Sequence, residues 1–162
     1  MLNERLIKRC PSAKPIGIAH APNHSVNFSK IGADKSGKAT LYKHAGAQQF
    51  GVLFNINSND LVSLDVAEGV NFGYERRDDF LVIRSNDQTK IRTTTYLALK
   101  IDTNLSPFDW YLDLVIAGAK QHGLPTAQIS KFQETKFQPD NKENRKGRLE
   151  ALEVLKNSNS NI

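Results

Sequence analysis

The chain has 162 residues, which is long enough for one domain with a hydrophobic core of its own. Hydrophobic residues make up 39% and charged residues 24%, as in ordinary globular proteins. No apolar run approaches bilayer-spanning length, and Glu4 and Arg5 stand where a secretory signal peptide needs an apolar core. Cys10 is the only cysteine, so an intrachain disulfide is excluded. We therefore expect a cytoplasmic protein without a membrane span.

The net charge of +5 raises the question of nucleic-acid binding. The basic residues are dispersed, and Arg76 and Arg77 are followed at once by two aspartates. The densest basic run, Lys142–Arg148, is interleaved with Glu143, and no alternation of basic and aromatic residues suited to stacking bases occurs. The charge therefore favours a well-solvated surface, or one that attracts anionic peptides, over a nucleic-acid partner.

The N-terminal third of the chain is rich in strand signals. Asn3 is placed to cap a short helix over Glu4–Lys8, which Pro11 ends. The polar, glycine-containing segment Gly32–Lys38 predicts a loop. Alternating apolar residues predict four short strands around it, namely Lys14–His20, Ser25–Ile31, Ala39–Lys43 and Gln49–Asn55.

A helix is predicted over Asn57–Gly69, where apolar residues recur at helical spacing. Asn59 and Asp60 are candidate N-terminal caps, and Gly69 suits the left-handed conformation that often closes a helix. Glu68 is then the last helical residue, at the negative end of the helix dipole, which disfavours a charged carboxylate. Such a carboxylate is suited to moving protons, although many helices end in a solvated glutamate that has no such role.

The second half of the chain predicts a hairpin followed by helices. Strands are expected over Arg77–Arg84 and Lys90–Ile101, with a turn between them. Ser106 is a candidate cap for a long helix that runs to His122, and a second helix begins at Thr126. From position 139 the chain is polar and charged, with leucines at helical spacing and a final NSNSNI that we expect to be frayed.

These elements predict an α+β fold. Strands outnumber helices and mostly follow one another, which favours a strongly bent sheet or small β-barrel surrounded by helices. We expect one domain over residues 1–138 and a charged C-terminal helix or tail over residues 139–162.

The other reactive side chains do not form a site in the sequence. The four histidines lack metal-ligand spacing, and Pro22 prevents His20 and His24 from sharing a helix face. Cys10 has no base near it in the sequence, and no glycine-rich phosphate loop occurs. No metal and no cofactor are predicted.

Three segments, in order along the chain, carry a resemblance to a known family. Leu64–Tyr74, LDVAEGVNFGY, resembles the Leu-Asp-x-x-Glu-Gly-Val segment of the γ-glutamylcyclotransferase family. Arg9–Pro22, RCPSAKPIGIAHAP, resembles its Arg-x-Pro-Ser-Ala segment and the strand that follows. Tyr111–Pro125, YLDLVIAGAKQHGLP, resembles its C-terminal helix ending in Gly-Leu-Pro. A lone Glu-Gly pair would be a weak signal, whereas three collinear segments are a strong one.

The resemblance implies a barrel with helices packed around it and a cytosolic enzyme of glutathione metabolism. The family converts small γ-glutamyl compounds into 5-oxoproline and releases the attached amine. The resemblance assigns the general acid/base role to Glu68 and substrate binding to Tyr111 and Tyr74. Tyr111 is equally interpretable as a core helix residue and Tyr74 as a strand-edge aromatic. The preferred γ-glutamyl substrate and the oligomeric state stay open, and a homo-oligomer is compatible with the sequence.

One part of the family pattern has no counterpart in this sequence. Family members carry a Tyr-Gly-Ser-Asn loop, preceded by a strand, before the helix that Leu2–Arg9 resembles. Backbone amides of that loop are expected to hold the substrate carboxylate. The alternative hypothesis is therefore a catalytically impaired family member that acts as a ligand- or protein-binding module.

Overall fold

The protein is described by a computed structural model that covers residues 2–159. A four-stranded antiparallel sheet with the order β2-β1-β3-β4 is surrounded by helices, which confirms the predicted α+β class. None of the helices in the described part of the chain is long and apolar enough to cross a bilayer. The elements, in chain order, are α1 Asn3–Ile7, β1 Lys14–Ile31, β2 Gly37–Asn55, α2 Ser58–Glu68, β3 Tyr74–Arg84, β4 Lys90–Ala98, α3 Asp109–Gln121, α4 Thr126–Gln133 and α5 Lys146–Asn159.

Strands β1 and β2 form one long hairpin. The prediction of four short strands in this part of the chain was wrong, because each strand of the hairpin is continuous where two short strands were expected. The pairing continues through three register shifts, of which one lies at Pro22/His24 and another at Asn27/Lys30. A bulge inserts an extra residue and bends a strand without ending it. Pro22 and the polar residues after it therefore mark a bend in the sheet, where the sequence had indicated a break.

The sheet is strongly bent. Strand β1 pairs with β3 only through Ala19 and His20, so the two hairpins diverge beyond this crossing. At the other side, the Ala98 N–H on β4 donates a hydrogen bond of 3.0 Å to Thr40 Oγ1 on β2. The outer strands thus approach each other through a side chain, as the predicted bent-sheet or barrel-like core requires.

Helix α3 provides the main core contacts on this sheet. Its Leu112 and Ala119 pack with Phe28 of β1 and with residues of α4. Apolar positions of α3 recur at helical spacing, so one face of the helix enters the core. The buried members of this cluster are Phe28, Leu112, Ala119, Leu124 and Phe132.

Helix α2 ends at the predicted glycine, but the two side chains predicted to cap its start do not cap it. Its N-cap position is Asn57, and no side chain caps it. Asp60 instead accepts hydrogen bonds from the Ser12 backbone N–H and hydroxyl, at 2.7 and 2.6 Å. Gly69 closes the helix in the left-handed region, with φ of 63°, as predicted. The contact from Asp60 ties α2 to the turn after α1.

The other two predicted caps were also wrong. Asn3 is the first residue of α1 rather than its cap, because the N-cap position is Leu2. Phe108 occupies the N-cap position of α3, where Ser106 was expected, and neither helix start has a side-chain cap. The Asn3 N–H instead donates a hydrogen bond to Gln121 Oε1 at 2.9 Å, and the Asp109 N–H donates one to the Gln138 carbonyl oxygen at 3.1 Å.

Residues 139–159 pack onto the same core as the rest of the chain. Ala151 and Val154 of α5 lie against Trp110 and Leu114 of α3. Leu149 and Leu152 are exposed, so the buried face of this helix differs from the leucine stripe in the sequence. Helix α5 continues to Asn159, and the remainder of the segment predicted to fray, residues 160–162, lies outside the described residues.

Candidate functional site

A cavity of about 500 Å³ brings together all three residues that the sequence proposed for a site. Glu68 reaches it from the end of α2, Tyr74 from the start of β3 and Tyr111 from the first turn of α3. Three segments that are far apart in the sequence thus converge because the sheet bends and α3 packs against it. Cavities of this size are typical of small-molecule sites.

The Glu68 carboxylate is held at one side of this cavity. Its side chain is 18% exposed, and the Arg9 guanidinium donates a hydrogen bond of 3.1 Å to Glu68 Oε1. The turn after α2 requires glycine, because a Cβ at Gly73 would lie 3.1 Å from the Glu68 carbonyl oxygen. The Glu-Gly-Val-Asn-Phe-Gly run therefore provides both the carboxylate and the tight turn that presents it.

Tyr74 and Tyr111 meet at the backbone of one residue, Ala39 of β2. The Tyr74 hydroxyl donates a hydrogen bond of 2.9 Å to the Ala39 carbonyl oxygen. The Ala39 N–H donates one of 3.1 Å to the Tyr111 hydroxyl oxygen. Within residues 2–159, the Tyr111 hydroxyl proton has no acceptor, so it is available to a ligand in the cavity.

Both phenols stay protonated at physiological pH. Burial raises the pKa of Tyr74 far above its ordinary value, and Tyr111 and Glu68 act in the same direction. Burial likewise raises the pKa of Tyr111, and the hydrogen bond from the Ala39 N–H, which lowers this pKa, does not cancel the effect. Tyr96, a third phenol that lines the cavity, is likewise neutral because burial raises its pKa. The cavity therefore has neutral hydroxyls beside one carboxylate, an arrangement that can orient a polar ligand without adding negative charge.

Four cationic side chains also line the cavity, and the sequence analysis assigned none of them to a site. Arg5 and Arg9 are one helical turn apart near α1, and Lys30 and Lys38 flank the turn between β1 and β2. The Arg-x-Pro-Ser-Ala segment contained Arg9, but only the fold places it beside Glu68. The four-residue spacing of Arg5 and Arg9, which places both on one face of a helix, was the feature of the sequence that could have indicated a cationic site.

Lys38 is largely enclosed, with its side chain 16% exposed. Its ammonium bonds to Asp34 Oδ2 at 2.8 Å and lies 4.6 Å from the centre of the Tyr111 ring. Burial lowers the pKa of Lys38, while the bond to Asp34 opposes that change. Lys38 therefore supports the position of Tyr111 through a cation–π contact.

Other reactive side chains lie apart from this cavity. Cys10 is buried, its thiol pointing to the Asp60 carbonyl oxygen at 3.5 Å, and burial raises its pKa. Among the described residues, no three histidine, cysteine, aspartate or glutamate side chains are grouped to hold a metal ion. The cavity is thus lined by one carboxylate, by the phenols of Tyr74, Tyr111 and Tyr96, and by the cations around them.

A second cavity of about 690 Å³ lies between the β1–β2 hairpin, α4 and the loop before α3. Tyr42 and His44 line it with their rings stacked, 5.9 Å between centres. Ser25 Oγ lies 2.8 Å from His44 Nδ1. None of the three residues that the sequence proposed lines this cavity.

Comparisons with known sequences place the chain in a family. The model of a family described as AIG2-like matches residues 48–132, slightly more than half of the chain and the part that contains α2 and α3. Human γ-glutamylcyclotransferase is 28% identical over 134 residues, which cover 77% of this chain and 68% of the human protein. The mouse protein of that name gives the same identity and coverage.

Comparisons with solved structures agree with the fold. A γ-glutamyl cyclotransferase structure matches with a TM-score of 0.85 and 24% identity, over 96% of this chain and 92% of that one. An uncharacterized human protein matches with a TM-score of 0.84 and 25% identity, at the same coverage. The bent sheet, its helices and their order are therefore shared along nearly the whole chain.

Proposed function

Because the chain belongs to the AIG2-like family of γ-glutamylcyclotransferase-like proteins, we propose that it cyclises the γ-glutamyl group of small γ-glutamyl compounds to 5-oxoproline. The amine or amino acid attached to the γ-carbonyl is released. Glu68 is the general acid and base of this reaction. The observation that carries the proposal is Glu68 itself, a carboxylate held at the wall of a ligand-sized cavity between two phenols.

The reaction needs orientation and two proton movements. The substrate's own α-amine attacks its γ-carbonyl carbon, so the new C–N bond forms within one molecule and the C–N bond to the departing group breaks. Holding a folded conformer supplies much of the rate of an intramolecular step. The α-ammonium has three protons and the lactam nitrogen keeps one, so two protons must leave it, and the departing nitrogen gains two as it changes from an amide N–H to an ammonium group. Glu68 carries these protons one at a time, the first before the attack and the second as the C–N bond to the departing group breaks.

The surroundings of Glu68 support this role. Arg9 fixes one carboxylate oxygen by the 3.1 Å bond, so the other oxygen, Oε2, is available to a substrate nitrogen. The free Tyr111 hydroxyl proton is a donor for the γ-carbonyl oxygen or a carboxylate. Tyr74 anchors the same wall through Ala39, so its ring and not its proton faces the ligand.

The proposal is tested by the stoichiometry of the products. Wild-type protein incubated with γ-glutamyl-alanine is expected to form 5-oxoproline and alanine in equal amounts, measured by chromatography. Formation of glutamate in place of 5-oxoproline would mean that water attacks, which contradicts the proposal. Binding of the dipeptide without any product would favour a ligand-binding module instead.

Tyr111→Phe is expected to lower kcat/KM about fivefold, because one hydrogen bond to the substrate is lost, worth about 1 kcal/mol. The ring and its contact with Lys38 are retained, so the fold should be unchanged. Tyr42→Phe is the matched control, since it removes an exposed hydroxyl outside the cavity. Equal kcat/KM in wild type and Tyr111→Phe would exclude a substrate contact by this hydroxyl.

A further inference from the structure

The cavity around Glu68 has an excess of positive charge. Four cations and one carboxylate line it. Two of the cations have partners: Arg9 pairs with Glu68 at 3.1 Å and Lys38 with Asp34 at 2.8 Å. Once these pairs are counted, Arg5 and Lys30 are the cavity cations that remain.

Arg5 and Lys30 form no ion pair and no side-chain hydrogen bond with any residue from 2 to 159. The Lys30 ammonium lies 4.8 Å from the centre of the Tyr74 ring. It also lies against the turn that presents Glu68, because a Cβ at Gly73 would be 3.2 Å from Lys30 Nζ. Lys30 is thus held inside the cavity by a ring and a turn, rather than extended into water.

The positive charges also act on one another. Burial lowers the pKa of Lys38, and the charges of Arg5 and Lys30 lower it further. Burial likewise lowers the pKa of Arg5, as does Arg9. Cations gathered in a partly enclosed cavity repel one another, and an anionic ligand relieves this repulsion. The empty cavity is therefore suited to a ligand that brings more negative than positive charge.

We propose that Arg5 and Lys30 are specificity-determining residues, which bind a carboxylate on the departing group of the γ-glutamyl substrate. This inference rests on the proposed function and names its substrate class. A γ-glutamyl amino acid carries two carboxylates and one ammonium, whereas the γ-glutamyl derivative of a simple amine carries one of each. Since Arg9 is already engaged by Glu68, Arg5 and Lys30 are the cavity cations left to bind the carboxylate that only the γ-glutamyl amino acid has on its departing group.

The test compares two substrates that differ in this carboxylate, γ-glutamyl-alanine and γ-glutamyl-ethylamide. Lys30→Met is expected to lower kcat/KM for γ-glutamyl-alanine at least tenfold, mainly through KM, because a charge-assisted hydrogen bond is lost. For γ-glutamyl-ethylamide, kcat/KM of Lys30→Met should stay within about twofold of the wild-type value. Lys30→Arg should restore most of the wild-type preference for γ-glutamyl-alanine. Lys14→Met, which removes an exposed lysine of the same strand, should leave kcat/KM unchanged for both substrates.

Two results would overturn the assignment. One is an unchanged kcat/KM for γ-glutamyl-alanine in Lys30→Met and in Arg5→Gln. The other is an equal loss for both substrates, because the carboxylate bound would then be the one they share.

A binding measurement separates this inference from the proposed function. Glutaryl-alanine keeps the alanine carboxylate but lacks the α-amine, so it cannot cyclise. Calorimetric titration with it, and with glutaryl-ethylamide as the reference that should bind all variants alike, reports on the cations even if no 5-oxoproline is ever formed. Binding of glutaryl-alanine that is at least tenfold weaker in Lys30→Met than in Lys14→Met supports the subsite. Equal binding in the two variants overturns it, whatever the catalytic assay shows.

Discussion

Replacing Glu68 with glutamine should reduce 5-oxoproline formation by a factor of about 100 or more, since positioned acid–base groups contribute on that scale. An amide keeps the shape of the side chain and can still accept the hydrogen bond from Arg9, so the cavity should keep its form. What the amide cannot do is take a proton from the α-ammonium and pass it to the departing nitrogen. The measurement is kcat with γ-glutamyl-alanine.

Glu153→Gln provides the matched control for this variant. Glu153 also pairs with a cation, Lys8 at 3.0 Å, but the pair is exposed and lies outside the cavity. Its loss should leave kcat unchanged and stability within about 1 kcal/mol. The circular dichroism spectra of both variants should match that of the wild type. Turnover by Glu68→Gln at the wild-type rate would remove Glu68 from the chemistry.

Asp140→Ala should lower the free energy of unfolding by about 3 kcal/mol, because it leaves a buried ionic cluster without its anion. The Asp140 residue is 5% exposed and accepts hydrogen bonds from the Trp110 indole, at 3.0 Å, and from the Arg145 guanidinium. It thereby ties the segment before α5 to the start of α3. The melting temperature should fall by roughly 6–12 °C.

The same cluster predicts a pH dependence. The bonds from Arg145 lower the pKa of Asp140 to about 2, below the value of about 3.9 for an unfolded aspartate. The carboxylate therefore stabilises the fold fully above about pH 4, and this contribution disappears as the pH falls to about 2. The stability difference between wild type and Asp140→Ala should shrink over that interval. Asp79→Ala, which removes an exposed carboxylate, should change the free energy of unfolding little at any pH. A stability difference between wild type and Asp140→Ala that stays constant from about pH 4 to about pH 2 would exclude this role of the Asp140 carboxylate.

The fold was predictable at the level of its elements because apolar spacing, or a glycine or proline at a boundary, marks most of them. The helix before Gly69 illustrates this, since the left-handed glycine and the last helical residue, Glu68, lay where the sequence indicated. The continuity of β1 and β2 was not predictable, because Pro22 is equally compatible with a strand end and with a bulge. Capping failed for a similar reason: Asp60 has the chemistry of a cap, but tertiary contacts direct its carboxylate to Ser12.

The site was predictable only in part. Resemblance to the family proposed Glu68, Tyr74 and Tyr111, and the fold brings the three to one cavity. The cations that set the charge of that cavity were missed, because the four-residue spacing of Arg5 and Arg9 is common on helix surfaces and Lys30 has no distinguishing neighbours in the sequence. Their position depends on how α1 and the long hairpin pack, which no local pattern encodes.

The central claim, that the γ-glutamyl group is cyclised beside Glu68, is tested most directly by a crystal structure with the product 5-oxoproline. The account predicts that the product lies in the cavity of about 500 Å³. Its ring nitrogen, which was the substrate's α-amine, should be within hydrogen-bonding distance of the Glu68 carboxylate. Product bound instead beside Tyr42 and His44 in the second cavity, with the Glu68 cavity empty, would contradict the account.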